Sequence, residues 1–101
     1  MSEITSLDEP ESEPHAELFE TRRPRMVRLS LDADERVPPH RHPGNDIVLH
    51  LVEGHLELTL DDETHELRAG QLARFSGERE ISPYAVEPST AVVVFAPAAE
   101  D

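Results

Sequence analysis

The apolar positions of the chain fall into short runs of period two separated by turn residues, and no stretch holds a helical repeat of useful length. From Met26 to Leu31 the residues alternate, with Val27, Leu29 and Leu31 on one face and Met26 and Arg28 on the other. Asp32 to Glu35 predicts a turn, and Val37-Pro38-Pro39 suits a strand entry or an edge. Ile47 to Val52 is apolar on both parities except at His50, which predicts a central strand covered on each side. Glu53-Gly54 then reads as a turn. His55 to Leu60 alternates strictly, with Leu56, Leu58 and Leu60 inward and His55, Glu57 and Thr59 outward. Asp61-Asp62 predicts a hairpin, Thr64 to Leu67 its return strand, and Ala69-Gly70 a further turn. Gln71 to Phe75 and Thr90 to Phe95 complete the set, with Ser76 to Glu80 as a loop. Short strands with turns at intervals of about eight to twelve residues predict an all-β fold, a sandwich or barrel.

A chain of 101 residues suffices for one domain with a modest core, and so for one site. Residues 1–15 are rich in Ser, Glu, Asp and Pro, with Ile4 and Leu7 isolated, so they are expected to form a disordered acidic tail. The barrel is then expected over 16–98 and a short C-terminal tail over 99–101. Cysteine is absent, which excludes disulfides and thiolate chemistry and leaves nitrogen and oxygen to hold any metal. The longest apolar runs, Ile47 to Val52 and Ala91 to Ala98, are too short to span a bilayer, and the acidic N-terminus lacks the pattern of a signal sequence. A soluble, cytoplasmic protein is expected.

Charge narrows the partners. Acidic residues number 22 against 9 basic ones, all arginine, for a net charge of −13. Such a surface repels phosphate backbones and anionic membranes, so neither nucleic acid nor membrane is an expected partner. The cluster Arg22, Arg23, Arg25 and Arg28 reads as local charge balance. Excess carboxylate without lysine suits a protein adapted to high salt, where screening relieves self-repulsion.

The candidate chemistry lies in His40-Arg41-His42-Pro43-Gly44-Asn45-Asp46, at the mouth of the central strand. Residues two apart on extended chain leave the same face, so His40 and His42 can converge on one point. Two imidazoles and the Asp46 carboxylate, with positions left open, suit a divalent ion that still binds water or substrate. Nothing else competes. Ser30, Ser76, Ser82 and Ser89 lack the setting of a nucleophile, and no glycine-rich loop or lysine is present for a nucleotide phosphate. Asp61-Asp62 sits at a predicted hairpin tip, where hydration accounts for it.

These residues resemble the small single-domain cupins, whose fold is a jelly-roll β-barrel, over roughly Ala16 to Pro97. The first cupin motif runs Gly, five residues, His-x-His, three or four residues, Glu, and a later Gly. Here Asp34 stands at the first Gly place, His40 and His42 match, Asp46 stands for Glu, and Gly54 matches. In the second motif Gly70 matches, Ser76 and Glu78 replace Pro and Gly, and Ile81 falls where a further metal-binding His belongs. The resemblance implies a divalent transition metal (iron, manganese, nickel or zinc) held by His40, His42 and Asp46, a small molecule in the barrel, and a homodimer. His50 shares the parity of Asp46 and reads as a pocket wall, while Tyr84, the only tyrosine, can position a polar ligand. His15, His55 and His65 read as surface imidazoles. Three functions stay open: a small-molecule-binding barrel, a metal-dependent enzyme of oxygenase or isomerase type, and a non-catalytic structural or assembly barrel.

Overall fold

The computed structural model describes residues 3–8, 14–20 and 24–98, which form six strands and no helix. They are β1 (His15–Glu17), β2 (Arg25–Leu31), β3 (Asn45–Leu60), β4 (Glu63–Arg68), β5 (Leu72–Ser76) and β6 (Ile81–Pro97). Every pairing is antiparallel. The long strands β3 and β6 run side by side from Asn45↔Pro97 to Leu60↔Ile81. The first half of β3 carries β5 on its other edge, and the second half carries β4. Strand β2 joins the second half of β6, and β1 joins β2. One layer is therefore β1-β2-β6-β3-β5. The other is β4-β3-β6, extended by the isolated bridges Arg36↔Tyr84 and His40↔Ile81. The expected all-β jelly-roll barrel is what the chain forms.

Two expected boundaries differ. Glu53-Gly54 does not turn the chain: β3 continues through it, and its register against β6 shifts between Leu51 and Leu56. Extra residues on one strand of a ladder bend it, and this bend carries β3 from one layer to the other. Gly54 adopts φ +97°, and a Cβ there would collide with Ser89 Oγ and the Pro88 carbonyl. The final strand is also much longer than Thr90 to Phe95. Its first half contains Pro83 and Pro88, which hide a strand from a propensity reading. Pro83 fits because its carbonyl still accepts from Val37 N–H at 2.9 Å.

The alternation places the core as read. Val27, Leu29 and Leu31 from β2 and Leu56, Leu58 and Leu60 from β3 are all buried, and they meet Ile47, Leu49, Leu51, Phe75, Ile81 and Phe95. Since Ile47, Leu49 and Leu51 take the inner face of β3, period two sends Asp46, Val48 and His50 to the outer face. Arg28, on the outer face of β2, is also buried, and its Nη1 donates to the Leu7 carbonyl at 2.8 Å. Ser30 N–H donates to the Pro14 carbonyl at 2.9 Å. These two bonds join parts of the N-terminal segment to β2, and β1 begins at His15. The rest of the expected acidic tail (1–2 and 9–13), the C-terminal tail 99–101, and Arg22 and Arg23 lie outside the described residues. Among the described residues no helix is long and apolar enough to cross a membrane.

Candidate functional site

Pro38 and Pro39 stiffen the segment that enters the barrel mouth, and the backbones on either side clamp it. His40 N–H donates to the Ile81 carbonyl at 3.1 Å and Ile81 N–H to the His40 carbonyl at 2.7 Å. His42 N–H donates to the Gly77 carbonyl at 2.8 Å, and Gly77 N–H to the Asn45 carbonyl at 2.8 Å. Gly77 is required at that close approach, since a Cβ would run into the His42 carbonyl. The two imidazoles consequently hang from a segment held by the start of β6 and by the β5–β6 turn.

Their rings lie 4.9 Å apart, edge to face at 88°, and the His42 ring meets the Phe95 ring at 4.7 Å and 67°. The Arg25 guanidinium sits 4.8 Å over the other contact of that cluster, the Phe95 ring, and binds Glu17 through Nη2 at 2.8 Å. His15 and Glu17 pair with Leu29 and Val27, whose side chains are buried, so both project to the barrel side of β1. Behind this mouth is a cavity of about 50 Å³ walled by Val27, Leu29, Ile47, Leu49, Phe75, Ile81, Pro83, Val93 and Phe95, with His15, His40 and His42 at its polar end. The same three imidazoles line an outer recess of about 370 Å³ bounded by Glu17, Arg25, Val37, Pro38 and Pro39.

Burial lowers the pKa of both His15 and His42, and the nearby His40 and Arg25 lower them further. His40 Nδ1 lies 2.9 Å from the Pro38 carbonyl, which can only accept, so Nδ1–H is the donor of that bond.

Of the residues singled out in the sequence, His40 and His42 come together at the cavity. Asp46 does not join them: on the outer face of β3, it pairs with Ser76 and Ala96, and its carboxylate lies 3.7 Å from Arg74 Nη2. His50 shares that outer face, between Leu72 and Val92, and does not line the cavity. Tyr84 is likewise outside it. Its hydroxyl donates to Asp34 Oδ1 at 2.6 Å, a bond that raises the phenol pKa, and Arg36 covers the ring at 5.1 Å. His55 and His65 lie against carboxylates, 3.1 Å from Glu66 and 3.3 Å from Glu63. Ile81, 4% exposed, walls the cavity directly opposite His40.

Among the described residues no three His, Asp or Glu side chains gather where they would hold a metal ion. Three imidazoles line the mouth, but only His40 and His42 face each other; His15, on β1, does not close a three-donor group with them, and beside a hydrocarbon wall this set does not fit a transition-metal centre. His15, Arg25, Glu17 and Phe95 belong to the mouth and were not legible as such. A three-residue strand has no readable period, and Phe95 stood in the sequence only as the end of the last strand.

No curated protein matches the chain. Among solved structures, KdgF from Halomonas sp. is similar with a TM-score of 0.82 at 22% identity, over 100% of this chain and 98% of that one. An RmlC-like cupin protein from Desulfovibrio desulfuricans gives 0.81 at 18% identity, over 96% and 97%. The cupin domain of Cnp3 from Schizosaccharomyces pombe gives 0.82 at 15% identity, over 92% and 68%. At these identities the likeness is one of fold. The cupin domain family model matches residues 27–96, the stretch that holds both histidines, the bent β3–β6 ribbon and nearly all of the core, and the chain accordingly belongs to the cupin family.

Proposed function

We propose that this chain is a small-molecule-binding barrel that takes its ligand through the mouth formed by His15, His40 and His42. The observation that carries the reading is an apolar cavity with imidazoles confined to one end, His42 resting on Phe95. Such a cavity favours a ligand with a small hydrocarbon part inside and a polar part at the rings, because few polar groups fix orientation while apolar walls supply affinity. Arg25 is already engaged by Glu17, so the imidazoles are the groups left to meet the polar part. Catalysis through a metal has less support, since the donor set does not fit one.

The test is a two-dimensional amide NMR titration with straight and branched alcohols, amides and carboxylates of about three to six carbons, which the outer recess of about 370 Å³ can hold with the hydrocarbon end directed at the cavity behind it. Saturable shifts clustered on His15, His42, Ile47 and Phe95, weakened in His42→Ala, are expected. Absence of any saturable shift, or equal binding by the variant, would sink the proposal.

A homodimer through the outer face of β6, β3 and β5 accompanies this reading. Val48, Val92 and Val94 are only partly covered there and Leu72 is 63% exposed, while Arg74 and His50 make this face less acidic than the rest. Light scattering in molar salt should give twice the chain mass, and Leu72→Glu should shift it toward one chain. A monomeric wild type would end the idea.

A further inference from the structure

We propose that Ile81 makes this pocket metal-independent by placing a hydrocarbon seat where a third ligand would have to stand. The inference deepens the ligand-binding reading above and rests on it. His40 and Ile81 exchange both backbone hydrogen bonds, at 3.1 and 2.7 Å, so they form a directly opposed antiparallel pair and their side chains leave the same face. His42 lies two residues along the same segment, with its ring 4.9 Å from that of His40. The position opposite His40 is therefore the one from which a third donor would reach both rings, and it holds a buried hydrocarbon side chain with no donor atom. Asp46, the other candidate donor, is turned to the far face of β3 beside Arg74.

His15 lines the same mouth but does not converge with His40 and His42, and two convergent imidazoles leave most of an ion's coordination to water. A hydrated cation pressed against Ile81, Leu49 and Phe75 would lose solvation without gaining ligands in exchange. The same surroundings favour the uncharged branched end of an organic ligand. One substitution should reverse the preference: Ile81→His places a third imidazole about 5 Å, Cβ to Cβ, from that of His40, as directly opposed strand residues are spaced.

Tag-free wild type, Ile81→His, Ile81→His with His42→Ala, and His42→Ala alone would be titrated calorimetrically with nickel and with zinc, and by NMR with isobutanol. Ile81→His should take about one ion per chain, at least about a hundredfold more tightly than wild type, as expected for completing a three-ligand site. Adding His42→Ala to it should abolish the gain. Wild-type shifts with isobutanol should be the same in chelator and in nickel, and weaker in Ile81→His. Tight one-ion binding by wild type, lost in His42→Ala, would overturn the proposal even where Ile81→His fails to fold. So would a folded Ile81→His that takes no ion, or isobutanol binding that requires nickel. If isobutanol and all the other probes fail to bind any form, the ligand-binding reading falls, while the ion titrations still decide the role of Ile81.

Discussion

His42 and His15 show how a legible residue acquires a property only its surroundings give. The His-x-His spacing announced two imidazoles on one face, and the fold then half-buries the His42 ring against Phe95. In the unfolded chain each ring takes its proton near the ordinary value of 6.5, and in the fold it does so only at lower pH. Between those values the unfolded state binds protons that the folded state does not, so stability falls as pH drops through about 6.5 and levels off once the folded rings are protonated. Urea denaturation at about pH 7.5 and about pH 5.5 should show a larger loss for wild type than for His42→Gln. An equal loss would mean that His42 does not couple to folding. Asp46 could not be placed from sequence. Ile47 to Val52 is apolar on both parities, so either set can be inner, and only the packing of Ile47, Leu49 and Leu51 settles which way the carboxylate points. Tyr84→Phe should leave NMR-measured ligand affinity unchanged, since the phenol is engaged with Asp34 outside the cavity; a tenfold loss would return Tyr84 to the site.

At the scale of elements, the two long strands decide where the site stands. β3 and β6 pair along their whole length and bend together, which brings the start of β6 beside His40 while its end supplies Phe95 beneath His42. The bend depends on Gly54, whose positive φ and close approach to Ser89 exclude a side chain. Gly54→Ala should cost about 2–4 kcal/mol, combining backbone strain with overpacking, as read from the urea midpoint. A loss below about 0.5 kcal/mol, the level of an ordinary surface change, would show that the strand bends without it. Gly77→Ala acts on the site instead: the displaced His42 carbonyl moves its ring, so the imidazole NMR signals should shift and probe binding weaken. Unmoved His42 signals would contradict the clamp. Leu56, Leu58 and Leu60 were legible because their alternation is strict. The bend at Glu53-Gly54 was not, because a turn and a bulge use the same glycine.

The whole molecule carries a net charge of −13. Self-repulsion among carboxylates opposes compaction, and salt screens it over a distance that shrinks as ionic strength rises. The thermal midpoint should therefore rise by several degrees between about 0.05 M and about 1 M potassium chloride, measured by circular dichroism; a constant or falling midpoint would show that the surface is not under such strain. Composition and period by themselves determined that the chain is all-β, strongly acidic, free of thiol chemistry and furnished with a His-x-His pair, since these depend only on residue type and near spacing. The tertiary structure alone decided that Asp46 and His50 face outward, that His15 from β1 joins the mouth, and that Ile81 stands opposite His40. Those are pairings between residues far apart in sequence, and they follow from which face of each strand the common core takes up.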